Sequence, residues 1–272
     1  MAYANFKPMI WSKYIQHELE KKTKLVDDCW MQFQGEAKKG ESVKILGVGK
    51  VTVGDYTGAD IGAPENVDDS SVLLPIDNAK FFNFAVDDVD KSQSIPGLME
   101  ALMQEATRSM ALARDAAVAN LAATPGLTAS ASAAVTTADA AKKAIDTGIL
   151  YLRENDVDPS DDVVIEIAPF MYRLLRDQLV NLKTDNDDLI KKGIVGMYDN
   201  CRVKLCNNLY SDGTDTYMMI RTKKAIAFAG TVDKVEAYRP EGLFADAVKG
   251  LNVFGTRVIR PKEIYIIKAR KK

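Results

Sequence analysis

Between Glu41 and Asp90 the chain carries two long strand-patterned segments, ESVKILGVGKVTVGDY and SSVLLPIDNAKFFNFAVDDVD, around the turn-rich acidic stretch GADIGAPENVDD. A two-stranded ribbon on its own is marginal in water. A hairpin of this reach must be covered by the rest of its own fold or by a neighbouring copy of the chain. With 272 residues, 47% of them hydrophobic, the chain can bury a real core as one large domain or two modest ones.

A spine for that core follows the hairpin. In IPGLMEALMQEATRSMALARDAAVANLAAT, Leu98, Leu102, Ala106, Met110, Ala113, Ala117 and Leu121 form one stripe at three- and four-residue spacing, which predicts a long amphipathic helix. Pro96 suits its first turn, and Thr124-Pro125-Gly126 stops it. The Ala-, Ser- and Thr-rich stretch beyond reads as a loop over 124–136 before a second helix in AAKKAIDTGILYLRENDVD. DDVVIEIAPF then reads as a buried strand ending at Pro169, which opens the helix FMYRLLRDQLVNL. Strand and helix alternate, so the fold class is α+β. No internal repeat is evident, which removes solenoid and propeller architectures.

The stretch GIVGMYDNCRVKLCNNLY, residues 193–210, is punctuated by Gly193 and Gly196, and its alternation places Cys201, Val203 and Leu205 on one side of a strand. SDGT at 211–214 is a turn before TYMMIRTKKAIAFAG, and the chain closes on the strand-rich VFGTRVIRPKEIYIIKA. Residues 1–34 hold a helical pattern, with Trp11, Tyr14, Ile15 and Leu19 at helix spacing and Leu25, Val26 and Trp30 beyond a lysine cluster. This pattern suits either an arm whose tryptophans pack on another surface or an ordinary first helix.

Several classes of function lose support from composition. The 36 Lys and Arg are offset by 38 Asp and Glu, so no basic field is present to hold nucleic acid tightly, and any DNA contact is expected to be weak. No apolar run approaches a membrane span and the amino terminus lacks a signal-peptide core, so no membrane partner is expected and the chain reads as made and kept in the cytosol. Three cysteines, Cys29, Cys201 and Cys206, read as buried small apolar groups rather than a disulfide framework.

Chemistry-bearing patterns are equally thin. GVGK at 47–50 fails as a phosphate loop because Lys44 stands at the first glycine position and Val51 replaces the hydroxyl residue. His17, the single histidine, sits among Lys13, Glu18 and Lys21 on what reads as a solvated helix face. Asp87, Asp88 and Asp90, and separately Asp185, Asp187 and Asp188, lack the glycine and distal glutamate of a calcium loop and read as turns. The basic end, Lys262, Lys268, Arg270, Lys271 and Lys272, suits either a frayed solvated tail or a contact with phosphate or an acidic partner surface, the tail being the simpler reading. No catalytic, cofactor-binding or metal-binding residue is expected, and the chain reads as a structural protein rather than an enzyme.

Taken together, three stretches resemble the major capsid proteins of tailed bacteriophages with the Hong Kong 97 type fold. FKPMIWSKYI with GESVKILGVGKVTVGDYTG and LPIDNAKFFNFAVDDVDKSQS is similar to the coat-protein group that includes phage P twenty-two. GIVGMYDNCRVKLCNNLY resembles the glycine-punctuated strand of the axial domain, and KVEAYRPEGLFADAVKGLNVFGTRVIRPKEI completes the match. The resemblance implies an N-arm over 1–34, an extended E-loop with flanking strands over 35–90, and a peripheral domain with the spine helix over 91–139. An axial domain over 140–230 and a return to the peripheral domain over 231–272 complete the implied layout.

It further implies a homo-oligomer of hexamers and pentamers closing into an icosahedral shell around double-stranded DNA, located in the virion and assembled in the bacterial host cytoplasm. A separate scaffolding protein and a portal are implied partners, and either a decoration protein or tighter E-loop contacts would take the place of the insertion domain of the phage P twenty-two group, for which the chain is too short. Lys44, Lys50 and Lys80 lie in the hairpin, but no motif assigns an asparagine partner for an isopeptide cross-link. An encapsulin-like nanocompartment shell around a cargo enzyme is the alternative within the same fold.

Overall fold

The computed structural model describes residues 24–35, 42–48, 69–87, 98–158, 160–176 and 194–271. The hairpin is present as β1 (Ser42–Val48) against β2 (Asp69–Pro75), antiparallel from Ser42 opposite Pro75 to Val48 opposite Asp69. The second extended segment does not stay with it. It breaks at Ile76-Asp77, and β3 (Asn78–Asp87) joins a different sheet. Val43, Ile45 and Leu74 on the inner side of the hairpin pack on Ala227 and Ala229, so its base is covered from within the same chain.

Helix α1 (Leu98–Asn120) fulfils the predicted spine and passes through a single 3-10 turn, Leu121–Ala123, before the Pro125-Gly126 stop. Its deeply buried line is Met103, Thr107, Met110, Ala111, Asp115 and Val118. The expected stripe of Leu102, Ala106, Ala113 and Ala117 lies on the half-buried flank instead. The cause is two polar residues that a hydropathy pattern passes over. Thr107 is buried because its hydroxyl donates to the Met103 carbonyl at 2.7 Å, and Asp115 because it accepts backbone N–H groups from Lys24 and Leu25. The 124–136 loop contributes two short strands, β4 (Thr128–Ala129) and β5 (Ala133–Ala134). Helix α2 (Ala138–Glu154) starts where the Thr137 side chain accepts from the Ala140 N–H.

Next come β6 (Val163–Ile167) and α3 (Pro169–Leu175), with Pro169 in the first turn as expected. The stretch 194–222 supplies β7 (Ile194–Tyr198), β8 (Cys201–Leu205) and β9 (Thr216–Thr222). Gly196 sits inside β7 at a register shift, and the turn is made by Asp199 and Asn200, both at positive φ as a two-residue hairpin of this hand requires. The SDGT turn before β9 places Gly213 at φ 91°. The chain then forms β10 (Ile226–Tyr238), β11 (Ala245–Val258) and β12 (Ile264–Arg270).

Two sheets result. The larger runs β4-β12-β9-β6-β8-β7, with β5 also on β12, and the smaller runs β10-β11-β3. One face of the larger sheet, with Ile165, Val203, Ile220 and Ile267, packs on Ile145 and Leu152 of α2 and on Met171 of α3. The smaller sheet turns Phe82, Phe84, Val235 and Val248 toward Met103 and Met110 of α1. The C-terminal end of α1, through Val118 and Ala119, continues onto the second face of the larger sheet, so one helix ties both sheets together.

The basic end is not a frayed tail: Lys268 and Arg270 lie in β12, which is hydrogen-bonded to β9 on one side and to β4 and β5 on the other. The described part of the amino-terminal pattern is not α-helical either. Residues 24–35 form 3-10 turns at Val26–Asp28 and Gln32–Gly35, because Trp30 pairs with Ala227 as a short parallel bridge at the edge of β10. Trp30 meets Phe33 edge-on with ring centroids 4.9 Å apart, whereas Trp11 lies outside the described residues.

Gly255 on β11 lies against the backbone at the end of β2, where a Cβ would overlap the Pro75 carbonyl oxygen. Gly255→Ala should therefore cost more than about 2 kcal/mol in urea unfolding of the unassembled subunit. Gly230→Ala, where a Cβ meets Phe228 at an ordinary 3.8 Å, should stay within about 1 kcal/mol of the parent.

Candidate functional site

The second face of the larger sheet carries charge where an apolar layer would be expected. Register places Glu166 of β6 beside Lys204 of β8 and Met219 of β9, and Val164 beside Arg202 and Arg221. Period-two alternation sends these side chains away from the Ile165 and Val203 face. Over them lies the strap Lys24–Trp30, which buries Glu166, Lys204 and Arg221 almost completely.

The contacts run through the backbone of the strap as well as its side chains. Lys204 Nζ pairs with Asp28 Oδ2 at 2.6 Å and also donates to the Lys24 carbonyl. Arg221 donates from Nη1 to the Asp28 carbonyl, and from Nη2 to the Leu25 carbonyl at 3.0 Å and to Glu166 Oε1 at 2.6 Å. Arg202 extends the chain of charges outward, 3.4 Å from Asp28 and 2.6 Å from Asp162. From the helix side, Asp115 of α1 accepts the Lys24 and Leu25 N–H groups. Among the described residues Glu166 Oε2 and Arg221 Nε have no hydrogen-bond partner, so the network is held by geometry more than by complete satisfaction.

Burial alone would raise the Asp28 carboxyl, but the Lys204 ammonium, helped by Arg221 and Arg202, outweighs it and leaves Asp28 below its ordinary value. For Glu166 burial wins over Arg221 and the carboxyl is raised. Burial pushes Cys29 up to about 12 and Cys201 to about 11, and raises Cys206 as well. All three are free, buried thiols, as the sequence suggested, and none is primed as a nucleophile. Cys201 and Cys206 fall on opposite faces of the larger sheet.

His17, Lys50, Asp88, Asp90 and Asp185 to Asp188 lie outside the described residues, and Asp87 ends β3. Among the described residues no group of three His, Cys, Asp or Glu is placed to hold a metal ion, and no helix is long and apolar enough to cross a membrane. The residues that sequence reasoning missed are Lys204, Arg221 and Glu166. Their only signal was the alternation itself, since the face opposite Val203 and Ile165 had to be either solvated or paired.

What the outer surface offers is apolar area. Leu46 and Leu73 point away from the hairpin's packed side, Phe81 and Leu251 face each other across β3 and β11, and Leu243 and Phe244 sit between β10 and β11. Phe81 is 78% exposed and Phe244 83%. Clustered side chains of this size on an isolated subunit mark association surfaces.

A fold of this kind, tied by an internal clamp and with apolar pairs on its outer surface, suits a subunit built to associate. Comparison with family models matches residues 74–267 to phage capsid protein. The chain belongs to the phage capsid protein family. Among solved structures it is similar to that of Mycobacterium phage Che8, with 27% identity over 90% of each chain and a TM-score of 0.75. It is also similar to the capsid of Ralstonia phage GP4, at 12% identity over 92% of each chain and a TM-score of 0.71. The capsid of cyanophage P-SCSP1u matches at 16% identity over 86% of this chain and 85% of that one, with a TM-score of 0.67. A search of curated proteins finds no match. The protein is a structural shell subunit of a phage virion, not an enzyme, and it acts as a homo-oligomer.

Removing one partner of the buried clamp should be costly. Asp28→Asn leaves Lys204 buried and uncompensated, and should destabilise the subunit by about 3–5 kcal/mol at neutral pH. Because folding lowers the Asp28 pKa from 3.8, its contribution is present above that value and is lost as pH falls through the lower, folded value. The parent and the variant should therefore converge in urea unfolding curves as the pH is taken below 3.8.

Proposed function

We propose that the chain assembles as hexamers and pentamers into a closed icosahedral shell around the double-stranded DNA of a tailed phage. The observation that carries this reading is the combination of the family match over 74–267 with paired apolar groups left open on three parts of the surface. Each contact in such a shell can be weak, since a subunit makes several at once and closure is cooperative. Weak contacts also let misplaced subunits leave.

In this layout residues 1–34 form the N-arm, 35–90 the E-loop with its flanking strands, 91–139 the peripheral domain, 140–230 the axial domain, and 231–272 the return limb. Supporting it, α1 runs along the β10-β11-β3 sheet, while β6 to β9 lie in the larger sheet on which α2 and α3 pack and which β12 of the return limb also enters. The Lys24–Trp30 strap would set where the N-arm leaves the body. The base of the E-loop is anchored on Ala227 and Ala229, and its open side, with Leu46 and Leu73, would lie over a neighbour.

A separate scaffolding protein would guide assembly in the bacterial cytoplasm, a portal would occupy one vertex, and a decoration protein would reinforce the lattice in place of an insertion domain. Near-balanced charge supports weak, non-specific contact with the packaged DNA. The nanocompartment reading has weaker support, because the family model that matches is that of phage capsid protein.

The hairpin contact can be tested at the level of association. Leu46→Asp with Leu73→Asp changes only exposed positions, so thermal unfolding of the unassembled subunit should move by less than about 1 kcal/mol. In sedimentation velocity the parent should form fast particles and the double variant should remain as subunits or small capsomers. Particles of unchanged yield from the double variant would remove the hairpin from the lattice contacts.

A further inference from the structure

Among the described residues, six of the nine exposed large hydrophobic side chains fall into three adjacent pairs, and the pairs differ in the charge beside them. The open face of the smaller sheet carries Phe81 opposite Leu251, with Lys234 of β10 next in the same cross-strand row. Lys234 makes no ion pair among the described residues, whereas the next row is already neutralised: Lys249 meets Glu236 at 3.0 Å and lies over the Tyr238 ring. The tip between β10 and β11 carries Leu243, 61% exposed, and Phe244. Its charges are Arg239, paired with Asp246 at 3.7 Å, and Glu241, which makes no ion pair among the described residues. The third pair, Leu46 and Leu73, flanks the cation Lys44.

The cationic Phe81–Leu251 patch therefore complements the acidic tip and is repelled by the Lys44-bearing hairpin face. The tip cannot reach the patch of its own chain. Leu251 lies six residues beyond Ala245, where β11 begins, a separation of about 20 Å along a strand that is hydrogen-bonded on both sides. We propose that the Leu243–Phe244 tip of one copy docks on the Phe81–Leu251 patch of the next copy, with Glu241 meeting Lys234 across the contact. The inference rests on the shell reading and deepens it by naming one of the lattice contacts. Every copy carries both halves at different places, so the contact is head-to-tail, the kind that closes into rings when its rotation divides a full turn.

The test uses the full chain under conditions where the parent assembles. Because Cys29, Cys201 and Cys206 are buried, Leu243→Cys with Leu251→Cys supplies the accessible thiols of the described surface. Mild oxidation of assembled material should give a ladder of disulfide-linked oligomers from the double variant and none from either single variant. Cross-linking by Leu243→Cys alone would mean that tips meet tips and would overturn the proposal.

Independently, Glu241→Lys and Lys234→Glu should each raise the concentration needed for assembly about tenfold, and their combination should bring it back toward the parent. Assembly unaffected by either single charge reversal, or not restored by the pair while thermal unfolding of the subunits is unchanged, overturns the contact but leaves the shell. A parent that forms no particles overturns the shell reading and this contact with it.

Discussion

The fold depends on a charged layer placed where two sheets, one helix and the amino-terminal strap converge. Lys204 and Arg221 hold the strap chiefly by its carbonyl oxygens, Asp28 returns the negative charge, and Asp115 takes the strap's N–H groups from the side of α1. A buried ion pair seldom stabilises more than a well-packed apolar substitute, but breaking one is expensive. Its use here is registration. An apolar strap could slide over the sheet, whereas this one is fixed at Lys24, Leu25 and Asp28 by donors whose positions the sheet determines.

That registration has consequences at a distance. The strap leads into Trp30, which pairs with Ala227 at the start of β10, and β10 is the strand from which the smaller sheet grows. The same neighbourhood seats the hairpin base on Ala227 and Ala229. The clamp thus fixes the strap against the sheet and, through Trp30 and Ala227, positions the base of the hairpin. In a shell, a small error in that placement would be multiplied over every neighbour, which gives a physical reason to accept the desolvation cost of five buried charged residues.

Much of this could be read from the sequence where a single periodicity governed a segment. The apolar run VVIEI, the Pro169 start of α3 and the stop at Pro125-Gly126 are local signals, and each element stands where its signal lies. The readings that failed were those in which a partner distant in sequence decided the outcome. Thr107 and Asp115 moved the buried line of α1 off its hydropathy stripe, and Lys268 and Arg270 looked like a loose tail although they belong to a paired strand. Lys204 reads as a solvent-facing residue until the strap, far away in sequence, is laid over it. Nothing local marks Ile76-Asp77 as the point where one extended segment passes from the hairpin into another sheet; the partner strand β11 decides it.

The central claim is that this chain's surface is built for contact with copies of itself. Electron microscopy of the purified protein, imaged with and without a co-expressed scaffolding partner, tests it most directly. The account predicts closed particles or ring-shaped capsomers of uniform size in at least one of the two conditions. Dispersed monomers in both, at concentrations well above those used for assembly, would contradict it.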